Sequence, residues 1–153
     1  MAITIAIESP LQDDVRALVA SLNEYLLKLT PPDFVFHLTV EQMAEPGVTV
    51  WIARDGGTAI GCGALKRHDS RIAEVKRMFT HEDYRGQGIG RRILGEILSA
   101  AADEGIEEVV LETGDRHHAA WAIYEKAGFN RCGPVLDYPD SEYSVFYHKQ
   151  LAA

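Results

Sequence analysis

The chain has only two cysteines, Cys62 and Cys132, among 153 residues, too few for a disulfide framework. Cys62 lies between Gly61 and Gly63 in an apolar run with no base beside it, which reads as a small core residue rather than a nucleophile. Six histidines are scattered, and only His117 and His118 are adjacent. Neighbours in sequence point to different sides of an element, so no metal site is expected. No apolar run approaches the roughly 20 residues that span a bilayer. The opening residues Met1-Ala2-Ile3-Thr4-Ile5 lack the basic start and long apolar stretch of a secretory signal. These absences lead to the expectation of a cytoplasmic protein with no membrane partner. The net charge of −8 argues against general nucleic-acid binding. With no repeat, linker or low-complexity segment, residues 1–153 are expected to form one domain.

The acidic balance is locally reversed. Between Arg71 and Arg92 stand six basic residues (Arg71, Lys76, Arg77, Arg85, Arg91, Arg92) against three acids (Glu74, Glu82, Asp83). A basic segment on an acidic protein suggests a small anionic ligand steered to one place, or simply a solvated charged face. Hydropathy patterning yields the order β-α-α-β-β-β-α-β-α-β, with one further short strand near 129–135. Ser9-Pro10-Leu11-Gln12 has the form of a capping box opening a first helix, and Thr39-Val40-Glu41-Gln42 repeats the pattern for a second. Asp55-Gly56-Gly57 is a hairpin turn, and Gly105 and Gly128 end helices. Strand hairpins followed by β-α-β-α-β imply a mixed sheet with helices packed on it, an α/β (α+β mixed) class.

Gly86, Gly88 and Gly90 lie between a strand and a helix whose apolar stripe is Ile89, Ile93, Leu94, Ile97, Leu98 and Ala101. Glycines there let backbone approach a ligand, and the free N–H groups of the helix start point at an anion. A P-loop would require Lys and Ser/Thr after its last glycine, but Arg91 and Arg92 stand there. A dinucleotide fingerprint would require a glycine three residues after Gly88 or Gly90, but those places hold Arg91 and Ile93.

What remains, Arg85-Gly86-Gln87-Gly88-Ile89-Gly90 preceded by Met78-Phe79-Thr80, resembles the acetyl-CoA motif of the GNAT (GCN5-related N-acetyltransferase) superfamily. Ala120-Trp121-Ala122-Ile123-Tyr124-Glu125-Lys126-Ala127-Gly128-Phe129 resembles a second family segment, in the right order and at a typical separation. The resemblance covers nearly the whole chain and is closest to small bacterial members. It implies a mixed, mostly antiparallel sheet of six to seven strands flanked by about four helices. It also implies acetyl-CoA as cosubstrate without a metal. The pyrophosphate would lie on backbone N–H groups of residues 86 to 91, with Arg85 and Arg91 nearby. The pantetheine arm would pair with Met78 to Thr80, and a backbone N–H near Met78 or Phe79 would polarise the thioester carbonyl. Ala120 would also touch the cofactor. His117 stands where many relatives have an asparagine on the cofactor arm, a departure that leaves Thr113 or His118 as substitutes.

Tyr124 occupies the position of the family's general acid, and a phenol suits a thiolate leaving group; the competing reading is a packed core tyrosine. For the general base Glu74 stands first, because a carboxylate in a central strand needs a reason; the competing reading is a salt bridge with Lys76 or Arg77. Glu112 is the second candidate. Its stretch Leu111-Glu112-Thr113-Gly114 also resembles a subset of bacterial members. The acceptor pocket is expected from residues 31–38, with Phe34, Phe36 and His37, and from the tail 138–143. The function implied is direct acetyl transfer to the primary amine of a small molecule in a ternary complex. Acetylation of a protein or peptide N-terminus or lysine, and a non-catalytic acetyl-CoA sensor, are the alternatives. Homodimers are common among such proteins.

Overall fold

The computed structural model describes residues 2–151. Seven strands form one sheet: β1 (Ile3–Ile7), β2 (Val48–Asp55), β3 (Thr58–Arg67), β4 (Ile72–Thr80), β5 (Glu108–Gly114), β6 (Asn130–Cys132) and β7 (Ser144–Gln150). Four α-helices accompany them: α1 (Asp13–Leu29), α2 (Val40–Met43), α3 (Ile89–Asp103) and α4 (His118–Lys126). The spatial order is β1-β2-β3-β4-β5-β7-β6, with every neighbouring pair antiparallel except β4 and β5.

Alternating residues divide the core into two layers, because successive strand side chains point to opposite faces. On β2, Trp51 and Ala53 join Ile93, Leu94 and Ile97 of α3 and Tyr124 of α4 in one layer. Val50 and Ile52 join Val15, Leu18, Val19 and Leu22 of α1 in the other. Each of these buried aliphatic side chains contributes roughly 1.5–3 kcal/mol over an exposed one.

The second capping box forms as expected: Thr39 Oγ1 accepts from the Gln42 amide at 3.1 Å, and Gln42 Oε1 accepts from the Thr39 amide at 2.9 Å. The first does not. Ser9 Oγ accepts from Leu11 N–H, within a turn, and α1 opens at Asp13 with Gln12 as an unassisted N-cap. Gln12 is occupied elsewhere, donating to Glu8 Oε1 and accepting from Arg54, whose guanidinium also binds Glu8 and Asp14. That ion-pair cluster fixes α1 against β2 in place of a reciprocal cap. The hydrophobic stripe is correspondingly shorter at its start, with Leu11 left exposed.

Two irregularities shape the functional region. The β3–β4 register shifts between Cys62 and Ala64, where β4 carries a bulge, and Arg77 adopts a left-handed φ of 58°. A bulge bends its strand and interrupts pairing. The parallel pairing of β4 with β5 covers only Ile72↔Glu108, Ala73↔Val109 and Glu74↔Val110. Beyond Glu74 no β4–β5 pairing continues, which leaves a wedge between these two strands.

Candidate active site

The wedge holds two cavities that meet. The larger, of about 400 Å³, is bounded by Met78, Phe79 and Thr80 of β4, by the loop 85–91, and by Ala120, Ile123 and Tyr124 of α4. The smaller, of about 100 Å³, is bounded by Leu22 and Leu26 of α1, by Phe34 and Phe36, by Lys76 and Arg77, and by Glu112 and His117. Met78, Ala120 and Tyr124 line both. A group passing between the cavities crosses these three side chains.

The loop is shaped by backbone conformations that L side chains rarely adopt. Gly86 and Gly88 both have φ of 79°, and Gly88 is the N-cap of α3. The first turn of α3 contains no acidic side chain, so its positive dipole end is open to an anion. A Cβ at Gly90 would meet Ile123 Cδ1 at 3.2 Å, which sets how closely α3 and α4 approach. Arg85 is held along the cleft. Its Nε donates to the Thr80 carbonyl at 3.0 Å, and its guanidinium lies 4.6 Å from the Tyr25 ring centroid and 5.6 Å from that of Phe79. Arg91 lines the same cleft. Gln87 is exposed and lies off its lining.

Tyr124 is buried, stacked edge-on against Phe129 and tilted against Tyr147. Burial, reinforced by the nearby Glu112 carboxylate, pushes its phenol well above the usual value. Glu112 is largely shielded and accepts from Ser144 Oγ at 2.8 Å. Burial pushes its carboxyl up to about 7.

Glu74 is placed differently from its neighbour on β5. It is 2% exposed, and its oxygens are taken by His68 Nε2 at 2.9 Å, by Lys76 Nζ at 3.2 Å, and by a very short hydrogen bond from the Tyr138 hydroxyl. It lines neither cavity. The internal ion pair with Lys76 forms; among the described residues Arg77 has no carboxylate within ion-pairing distance. His117 sits at the start of α4 and lines the smaller cavity rather than the cleft, with Nε2 buried and unpartnered. Burial lowers its pKa.

Phe34 and Phe36 line the smaller cavity, but His37 does not. The tail braces that loop from outside. Tyr143 packs on Phe34 at 4.7 Å and Tyr138 on Phe36 at 5.4 Å between centroids. Sequence reasoning missed Leu22, Leu26 and Tyr25 of α1, because a helical apolar stripe looks the same whether it meets core or cavity. Cys62 is fully buried, its thiol pushed up to about 12 by burial and donated to the Arg77 carbonyl. It is a packing residue.

The sequence pattern of the acetyltransferase (GNAT) family matches residues 15–129. The chain belongs to that family. This GNAT enzyme is 39% identical over 150 residues to an IAA acetyltransferase of Azospirillum brasilense, covering 97% of the chain and 98% of the relative. It is 36% identical to the uncharacterized N-acetyltransferase YsnE of Bacillus subtilis, covering 89% and 93%. Among solved structures, a candidate acyl-CoA N-acyltransferase from Klebsiella pneumoniae superposes with a TM-score of 0.83 at 28% identity, covering 98% of each chain. The PaiA N-acetyltransferase of Thermoplasma acidophilum, solved with coenzyme A, shares the fold at a TM-score of 0.74 and 18% identity, covering 98% of this chain and 99% of that one. The protein is an N-acetyltransferase with the seven-stranded GNAT fold. No helix among the described residues is long and apolar enough to cross a membrane, and no group of three or more potential ligands for a metal occurs among them.

Proposed function

We propose that the whole chain acts as one acetyltransferase domain, moving acetyl from acetyl-CoA directly to the primary amine of a small molecule held in the second cavity. The observation that carries this reading is the meeting of two cavities at Met78, Ala120 and Tyr124. Two substrates entering from opposite sides would be held with their reacting atoms adjacent, which removes much of the entropic barrier to a bimolecular step. The small second cavity, roofed by aromatic pairs between the 31–38 loop and the tail, favours a small acceptor over a peptide. The similarity to an IAA acetyltransferase along nearly the full length supports the same reading.

The lining of the larger cleft fits acetyl-CoA. Left-handed glycines at 86 and 88 lead into the start of α3, and the free backbone N–H groups of a helix start are suited to bind phosphate. Arg85 and Arg91 add positive charge beside them. The unpaired edge of β4 at Met78 to Thr80 offers backbone groups to an extended arm. An N–H of Met78 or Phe79 would receive the negative charge that develops on the thioester oxygen.

Glu112 serves as general base. Its pKa of about 7 leaves it partly ionised at neutral pH and strong enough to take a proton from an ammonium group. The freed nitrogen lone pair forms the bond to the carbonyl carbon, and the carbon–sulfur bond breaks with its electrons on sulfur. Tyr124 donates its proton to that sulfur; its raised pKa ensures that the proton is present. The second proton shed by the new amide nitrogen restores the phenol. Glu74 acts at one remove, holding Lys76 and Tyr138 in place.

Initial rates with acetyl-CoA and an amine varied together test the scheme. Direct transfer predicts intersecting double-reciprocal lines; parallel lines would require an acetylated enzyme and overturn it.

A further inference from the structure

Arg77 is a buried cation with no counter-charge. It is 6% exposed, its Nη2 donates to the neutral Asn23 side chain, and its Nε is buried without a hydrogen-bond partner. No carboxylate of the described residues forms an ion pair with it, whereas the adjacent Lys76 is neutralised by Glu74. Burial lowers its pKa to about 10, which still leaves it charged at neutral pH. Burying an unpaired charge is costly, and the left-handed φ of 58° adds backbone strain. Fold stability alone gives no reason to keep either feature. Both occur on the wall of the smaller cavity, which also contains Glu112 on β5 and an apolar surface from Leu26, Phe34 and Phe36.

We propose, resting on the acetyltransferase reading, that the acceptor is a small amino carboxylic acid whose carboxylate pairs with Arg77 while its amine meets Glu112. Such a molecule completes the missing ion pair and lays its apolar portion on the aromatic wall. A simple amine enters the same cavity as a second cation beside an uncompensated guanidinium, which is repulsive at low effective dielectric. The resting charge pattern therefore selects for the carboxylate and against the plain amine.

The test compares free apolar L-amino acids with their carboxamides, following thiol release from acetyl-CoA. The free acids should be acetylated with kcat/KM on the order of 100-fold above the amides, the penalty for leaving one partner of a buried pair alone. Arg77→Asn, a residue that tolerates positive φ, should bring that ratio close to one while calorimetry shows unchanged acetyl-CoA affinity. Amides used as well as acids, or a ratio that survives the substitution, would overturn the assignment. A readout without turnover separates this failure from that of the enzyme reading. At matched ionic strength, saturating free acids should raise the wild-type Tm by about 2 °C or more and leave Arg77→Asn unmoved. No such rise with any amino acid refutes the anion site whatever the turnover. A rise without acetylation of any amine would keep the site and reject the transfer scheme.

Discussion

Replacing Glu112 with glutamine separates its cost to folding from its use in catalysis. The wild-type carboxyl moves from an ordinary 4.5 to about 7 because folding buries it. At ~1.36 kcal/mol per pH unit, that difference corresponds to about 3 kcal/mol. Below pH 4.5 the group is protonated in both folded and unfolded chains, so nothing is lost. As pH rises above 4.5 the unfolded chain releases its proton first, and stability falls until the folded carboxyl also ionises near 7. Glutamine can still accept from Ser144 and carries no charge. Urea unfolding from pH 4 to 9 should therefore show Glu112→Gln equal to wild type at the acid end and up to about 3 kcal/mol more stable above pH 7. In the same variant kcat/KM should fall on the order of 100-fold, and the wild-type rise with pH through about 7 should disappear. Parallel stability curves for the two proteins, or a rising limb that persists in the variant, would refute Glu112 as a buried base.

Other perturbations test the geometry around the cleft. In Gly63→Ala the new Cβ would stand 2.6 Å from Met78 Sδ and 2.7 Å from Ile93 Cγ2; denaturant titration should show a loss of about 1–3 kcal/mol, and an unchanged midpoint would mean that β4 and α3 yield freely. Gly88→Ala forces a left-handed φ on a residue with a Cβ, and calorimetry should record weaker acetyl-CoA binding together with a stability loss of roughly 1–2 kcal/mol. Loss of stability alone would remove the loop from the binding surface. Thr39→Ala removes one half of the capping box over α2 and should cost about 1 kcal/mol in thermal unfolding without altering acetyl-CoA affinity.

The parts of this molecule that were legible in sequence are those where one residue type answers one backbone demand. Gly86 and Gly88 announce left-handed turns at an anion-ready helix start, Gly105 and Gly128 end helices at positive φ, and Thr39 with Gln42 forms the expected box. The Ser9–Gln12 box looked identical but lost to a tertiary competitor, because Arg54, distant in sequence, claims Gln12 and Glu8. The bulge at Arg77 was hidden for the opposite reason: no glycine marks that left-handed residue, and the strand pattern runs through it unbroken. Sequence reasoning put Glu74 ahead of Glu112 as general base, although both stand on central strands and nothing in the strand pattern separates them. Their difference lies in what surrounds them, three partners around Glu74 and a cavity before Glu112. The two short 3-10 turns, Pro32–Phe34 and Glu82–Tyr84, were likewise unread.

Tyr124 stands where the two cavities meet, and its substitution tests the transfer scheme most directly. Tyr124→Phe keeps the ring and its packing against Phe129 and Tyr147 but removes the proton. Acetyl-CoA affinity, measured by calorimetry, should stay within about twofold, while thiol release in the presence of an accepted amine should fall by roughly 100-fold or more. Turnover equal to wild type, with the cofactor bound as before, would contradict the account at its centre.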